Sequence, residues 1–332
     1  MRHRHLAGRV LAGALAVVAL ATLGLAGCGT DEQALPDNRM DADPPRPVGM
    51  QDPAVVPTGP AASSGSCNPR ASLRPPGTLP RPRQMPSGSA MARIVQRGRL
   101  IVGVDQNNYQ FGFRDPLTGQ LTGFDVDIAR EIARGLFGDP GRIQFRAISS
   151  ADRIKVVKDG TVDMVVRTMT MNCERWQEVS FSTEYFNAGQ RVLVTRGSGV
   201  RSIDDLRGKK VCAAAGSTSI RNIAEKGTVP VSVVNWTDCL VLLQQNQVVA
   251  VSTDDSILVG LAAQDPNTEV VGPRFSDEPY GVAISRESPE LVRFVNGVLA
   301  RIRSDGTWTR LYSRWLTSLG PAPAPPVARY RD

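Results

Sequence analysis

The chain has 332 residues, of which 41% are hydrophobic and 21% charged, with a formal net charge of +7. That leaves room for about two folded domains with proper cores and argues against a wholly disordered chain. Three of the positive charges (Arg2, Arg4, Arg9) lie in the first 27 residues, where there is no acid, leaving +4 for the rest; with no basic run interleaved with aromatics, a nucleic-acid partner is set aside.

From the N-terminus, those arginines and the apolar run Val10 to Leu25, too short to span a bilayer comfortably, read as an export signal over residues 1–27. Leu25-Ala26-Gly27-Cys28 then matches the lipobox of bacterial lipoproteins, in which the cysteine is lipidated and becomes the mature N-terminus. Cys28 is therefore the expected lipid anchor, placing the protein at the cell membrane on its extracytoplasmic face. Four further cysteines, Cys67, Cys173, Cys212 and Cys239, favour disulfides in an exported chain, with three pairings open. The only histidines, His3 and His5, fall inside the export signal. Their absence from the mature chain removes Ser-His-Asp and Cys-His catalysis and His-based metal sites together. No P-loop or G-x-G-x-x-G occurs, and no cofactor is implied.

Residues 28–89 hold 13 of the 24 prolines among Gly, Ser and Asp, a composition expected to form a disordered tether. Residues 321–332, opening with Pro321-Ala-Pro-Ala-Pro-Pro326, read as a second disordered tail. Between them strand and helix patterns alternate. A strand at 99–104 exits at Asp105, and Phe124, Ile128, Ile132 and Leu136 repeat at helical spacing behind Asp125 and Asp127. Ser150 is placed as the cap of a helix to Lys158, and a strand at 162–166 exits into Arg167 to Arg175. A second set follows: strand 210–214, a helix from about Ser219, helix 237–245, and strand 248–252 exiting at Asp254. Helices 289–304 and 308–315 close the chain. This rhythm implies an α/β fold with mainly parallel sheets, whose ligands sit at the carboxyl ends of strands.

The segments Leu-Ile-Val-Gly-Val-Asp105, Thr-Gly-Phe-Asp-Val-Asp-Ile128, Val-Asp-Met-Val-Val166, Glu174-Arg175, Asp204-Asp-Leu-Arg-Gly-Lys-Lys-Val211 and Gly306-Thr-Trp-Thr-Arg-Leu-Tyr312 occur in an order that resembles the polar amino-acid-binding proteins, family 3 solute-binding proteins. Among them the chain looks most like the glutamine-binding lipoproteins of actinobacteria. The resemblance implies a two-lobed, periplasmic-binding-protein-like fold. Lobe 1 would be residues 90–184 plus 281–320, lobe 2 residues 190–276, with two hinge strands near Glu184–Gly189 and Asp277–Gly281. On that division Cys212 and Cys239 share a lobe and are paired, leaving Cys67 with Cys173.

The same resemblance assigns the cleft. Arg175 would fork onto a ligand's α-carboxylate, helped by Thr170 and the backbone amides of Thr168 and Thr218, while Asp254 would take the ammonium. Arg153, Ser150 and Arg167 stand where acidic-amino-acid binders hold a distal carboxylate, whereas Asp105 matches the position that meets a side-chain amide in glutamine binders. An Asp105–Arg153 pair is one way to meet such an amide. The expected ligand is thus an acidic amino acid, with tolerance for its amide: Glu, Asp, Asn or Gln. Ser150 and Asn108 replace two rings that many relatives place around the ligand. The implied role is a monomeric, non-enzymatic receptor that hands its ligand to an ABC permease, or alternatively couples it to a membrane sensor. An enzyme on these lobes would need an acid or base aimed at a reacting bond, and the cleft candidates are all assigned to holding charge.

Overall fold

The computed structural model of the protein describes residues 44–57 and 67–332; the export signal and Cys28 lie outside them. Helix Phe124–Phe137 shows how the pattern becomes structure. Phe124, Ile128, Ile132 and Leu136 all reach zero exposure on its inner face, acids occupy its first turn, and Gly138 ends it in the left-handed conformation. It packs beside helix Pro289–Ser304, whose Val292, Val295 and Val298 share the same core.

These helices cover a five-stranded sheet ordered Ile143–Ala147, Leu100–Val104, Met164–Val165, Ala283–Ile284, Ser180–Phe181, the first two pairings parallel and the last two antiparallel. A second five-stranded sheet is ordered Val229–Val233, Lys210–Ala214, Ala250–Asp254, Gln190–Thr195, Thr268–Val271, and carries its own core around Val211, Val231, Val251 and Leu258. The chain passes between the sheets twice, along Phe186–Ala188 and Glu278–Tyr280, which pair antiparallel. The result is two lobes on two crossing strands. Disulfides join Cys67 to Cys173 and Cys212 to Cys239.

The described residues of both proline-rich segments depart from the disorder expected of them. The Ala54 N–H donates to the Pro230 carbonyl at 2.7 Å, Gln51 bridges to Ser232, and Ala54 lies in the lobe 2 core. Asp52 meets Lys210 at 2.6 Å. Further on, Ala71–Ser72 pairs in parallel with Arg329–Tyr330 of the C-terminal tail, and the Ser72 hydroxyl donates to the Phe181 carbonyl at 2.6 Å. Leu73, Leu79, Met85 and Ala322 pack on the lobe 1 core, Asp332 pairs with Arg293, and the Arg331 guanidinium lies 4.2 Å from the Trp176 ring centre. Proline denies these segments a helix but not main-chain pairing, and scattered apolar residues suffice once a finished lobe offers a surface. The helix assigned to Ser150 starts instead at Arg153, because Ser149 and Asp152 bond each other ahead of it. Among the described residues, no helix is long and apolar enough to cross a membrane.

Candidate functional site

Asp105 follows strand Leu100–Val104, Arg167 follows Met164–Val165, Gly216 follows Lys210–Ala214, and Asp254 ends Ala250–Asp254. These carboxyl ends face one another across the lobes, where an α/β fold places its ligands. Ser150, Arg153, Thr168 and Thr170 from lobe 1 and Thr218, Trp236 and Asp254 from lobe 2 line a cavity of about 10 Å³, scarcely enough for one water. The lobes are closed on each other, and nothing much larger than a water fits between them unless they part. A wider cavity of about 660 Å³ lies on the hinge side beneath the C-terminal prolines. Arg70 and Arg274, which line it, are already paired with Glu184 and Asp255.

Arg153 and Arg175 enter from lobe 1, 4% and 8% exposed. Arg153 donates to the carbonyls of Ser150 (2.9 Å), Arg167 (3.2 Å), Thr168 (3.1 Å) and Gly216 (3.2 Å). Arg175 donates to those of Thr170 (2.8 Å) and Gly216 (3.2 Å). All these acceptors are main-chain carbonyls, which offer only partial charge. Burial holds both guanidiniums below their ordinary range, and for Arg153 the neighbouring Arg175 and Arg167 add to it. An anion arriving between them meets two cations hydrogen-bonded only to carbonyls.

Asp254 faces them from lobe 2. The Tyr280 hydroxyl donates to its Oδ2, while Oδ1 is buried with no partner. Burial first, and then the charge of Glu278, push the Asp254 carboxyl well above the usual range. This orphan oxygen is what an ammonium would satisfy.

Four assigned residues, Asp105, Arg167, Ser150 and Thr168, do other jobs. Asp105 does not pair with Arg153; its Oδ2 lies 2.8 Å from Arg167 Nη2, and its Oδ1 accepts from the amides of Gln106 and Asn107. Arg153 is held away by the four carbonyls that claim it, while Arg167, anchored on the Ile148 carbonyl and the Ser150 hydroxyl, points at Asp105. The Thr168 amide is taken by Asp125 at 2.8 Å, so it is not offered to a ligand. Thr170 and Thr218 do lie in the cleft, but both hydroxyls donate to Glu278 Oε2, at 2.6 and 2.8 Å.

The sequence profile of the bacterial extracellular solute-binding proteins, family 3, matches residues 100–318. The chain belongs to this family. It is 38% identical over 230 residues to the ABC transporter glutamine-binding protein GlnH of Bacillus subtilis (strain 168), covering 68% of this chain and 84% of that one. To a glutamine-binding protein of Geobacillus stearothermophilus it is 40% identical over 204 residues, 60% of this chain and 78% of that one. An ancestral arginine-binding protein solved with glutamine bound matches the structure with a TM-score of 0.62 at 34% identity, over 66% of this chain and 98% of that one. As a family 3 solute-binding protein it is not an enzyme.

The structure adds residues to this binding protein's cleft that the sequence did not single out. Glu278 and Tyr280 come from a crossing strand, and Asp125 from beneath Thr168. Gly216 has φ +73°, and a Cβ there would lie 2.6 Å from Ala151 Cα across the cleft. Gly216→Ala should therefore keep the lobes from seating. Calorimetry is expected to show ligand affinity reduced at least about tenfold, and small-angle scattering a larger ligand-free radius. Unchanged values in both would mean that the turn yields without cost.

Asp125 is wholly buried and accepts from the Tyr185 hydroxyl and the Thr168 amide, both at 2.8 Å. Burial pushes its carboxyl from 3.8 up to about 7, against the pull of those two bonds. Between these values the folded protein keeps a proton that the unfolded chain has lost, so stability falls as pH rises through that window and levels off above it. Asp125→Asn should make the fall of melting temperature over that range shallower, with Asp254 and Glu184, whose carboxyls burial also raises, keeping part of the slope. A variant that kept the wild-type slope would place the titration on another group.

Proposed function

We propose that the protein is a monomeric, lipid-anchored extracytoplasmic receptor that closes its lobes on a free polar amino acid, with glutamine preferred, and delivers it to an ABC permease. One observation carries this: the partnerless, buried Asp254 Oδ1 faces a cleft whose opposite wall holds Arg153 and Arg175 bonded only to carbonyls. An α-amino acid brings the ammonium and the carboxylate that this arrangement lacks.

Charge balance favours the amide over the acid. Arg167 and Asp105 neutralise each other, and once a ligand ammonium restores the charge of Asp254, Arg153 and Arg175 stand against Asp254 and Glu278. A ligand without net charge preserves that balance, while glutamate adds a negative charge in a dry site. The acid preference that Arg153 suggested in the sequence gives way accordingly. Two relatives named glutamine-binding proteins, one of them an ABC transporter component, and an ancestral binding protein that accepts glutamine support the same reading. The lipobox ending at Cys28 supports the anchor, and one chain supplies both walls of the cleft, so a monomer suffices.

A thermal-shift screen of the mature protein against the twenty amino acids tests this. Glutamine at about 100 times its dissociation constant stabilises the native state by roughly 2.7 kcal/mol, a plain rise in melting temperature. Glutamate, aspartate and asparagine should shift it less. A cooperative melt that no amino acid moves would sink the proposal. Loss of the Cys28→Ser variant from the membrane fraction tests the anchor separately.

A further inference from the structure

Asn108 lies on the short strand Asn107–Asn108 of lobe 1, 2% exposed, and neither its Oδ1 nor its Nδ2 has a hydrogen-bond partner. A buried primary amide with nothing to bond is rare in a folded protein, because two donors and an acceptor have left water for no return. Its surroundings say where a partner would come from. The strand packs on helices Trp236–Gln244 and Asp255–Ala262 of the opposite lobe, and Asn107 donates to Asn235 Oδ1 at 3.2 Å. Trp236 and Ile257, from those same two helices, line the cleft cavity, and the Trp236 indole N–H is likewise buried without an acceptor. Three buried polar atoms thus stand unbonded where that strand meets the cavity-lining helices of the opposite lobe.

We infer that Asn108 is the residue that reads the ligand's side-chain amide, with the Trp236 N–H as a second donor to the amide oxygen. This rests on the reading of the cleft as an amino-acid site and adds to it the choice of side chain. A primary amide donates and accepts at once, so glutamine satisfies both ends of Asn108. A carboxylate only accepts, and it would leave Asn108 Oδ1 facing another acceptor.

The test is Asn108→Leu, similar in shape and apolar, studied by calorimetry with glutamine and by melting of the ligand-free protein. The expected result has opposite signs: glutamine affinity falls about 10- to 100-fold, while the ligand-free melting temperature rises, since unsatisfied buried groups have been removed. A purely structural Asn108 would instead lower that melting temperature. Wild type that binds glutamine, with a variant that binds it equally well, would overturn the inference and leave the receptor reading intact. Wild type that binds no amino acid would overturn the receptor reading itself. Should the leucine variant fail to melt cooperatively, nuclear Overhauser contacts in the wild-type complex decide: a contact between the Asn108 side-chain amide and the glutamine amide supports the assignment, and its absence overturns it.

Discussion

Replacing Asp254 by Asn is expected to weaken glutamine binding by more than about 100-fold and to leave the ligand-free protein as stable as before, or more so. The ligand ammonium would lose its only facing carboxylate oxygen, and removing one member of a buried, hydrogen-bonded charge pair costs about 2–5 kcal/mol, with each 1.4 kcal/mol a factor of ten. The ligand-free state behaves differently. Burial and Glu278 make the Asp254 charge unwelcome there, whereas an asparagine oxygen can still accept from Tyr280 without carrying that charge. Calorimetry and a melting curve measure both halves. Wild-type affinity in the variant would place the ammonium elsewhere.

Glu278→Gln should change selectivity rather than abolish binding. The Glu278 carboxylate accepts from Thr170 of lobe 1, from Thr218 and Asn222 (3.0 Å) of lobe 2, and from Ser276 (2.6 Å), and it is the leading favourable charge felt by Arg175. Each threonine hydroxyl has a single proton, which Glu278 holds and for which a ligand carboxylate would compete. Glutamine at 278 keeps an acceptor but removes a negative charge, shifting the cleft from balanced to positive. A second negative charge about 8 Å away interacts with Glu278 by roughly 2 kcal/mol at an effective dielectric constant of 20. The glutamate-to-glutamine affinity ratio should therefore rise on the order of 30-fold, read from paired titrations, and Glu278→Asp should keep the wild-type ratio. An unchanged ratio in the glutamine variant would mean that Glu278 is a lobe fastener with no say in ligand charge.

The strand exits were legible because they rest on local signals, whereas the division into lobes came from the family resemblance. Alternating apolar runs mark the strands, and turn residues after Val104, Val166 and Ala214 mark the crevice. Arg153, Arg175 and Asp254 were assigned through that resemblance, whose motifs fix the framework that carries them. What could not be read is who bonds whom inside it. Asp105 and Arg153 are close in the fold, yet the choice of Arg167 as partner depends on carbonyls from three separate loops. Glu278 fell within an expected hinge strand, but nothing in the sequence says that it sits between the hydroxyls of Thr170 and Thr218. Asn108 was visible only as a missing ring, since an amide without partners is a property of packing rather than of sequence. The proline-rich segments misled for a related reason. Composition reports whether a segment can build a core of its own, and says nothing of one that borrows a neighbour's.

The segment around Gln51 has a consequence for solubility. Strand Val229–Val233 is the outermost of its sheet, and it would otherwise present a row of unsatisfied amides and carbonyls to other copies of the protein. Gln51 and Ala54 occupy that row in the region of Pro230 and Ser232, and the proline removes one donor from it. The arm thus works as an edge guard against strand-to-strand aggregation, which matters most for receptors crowded on one surface. A shortened protein that begins after residue 57, trimmed on the view that everything before the lobes is spacer, would keep its ligand chemistry and expose that edge.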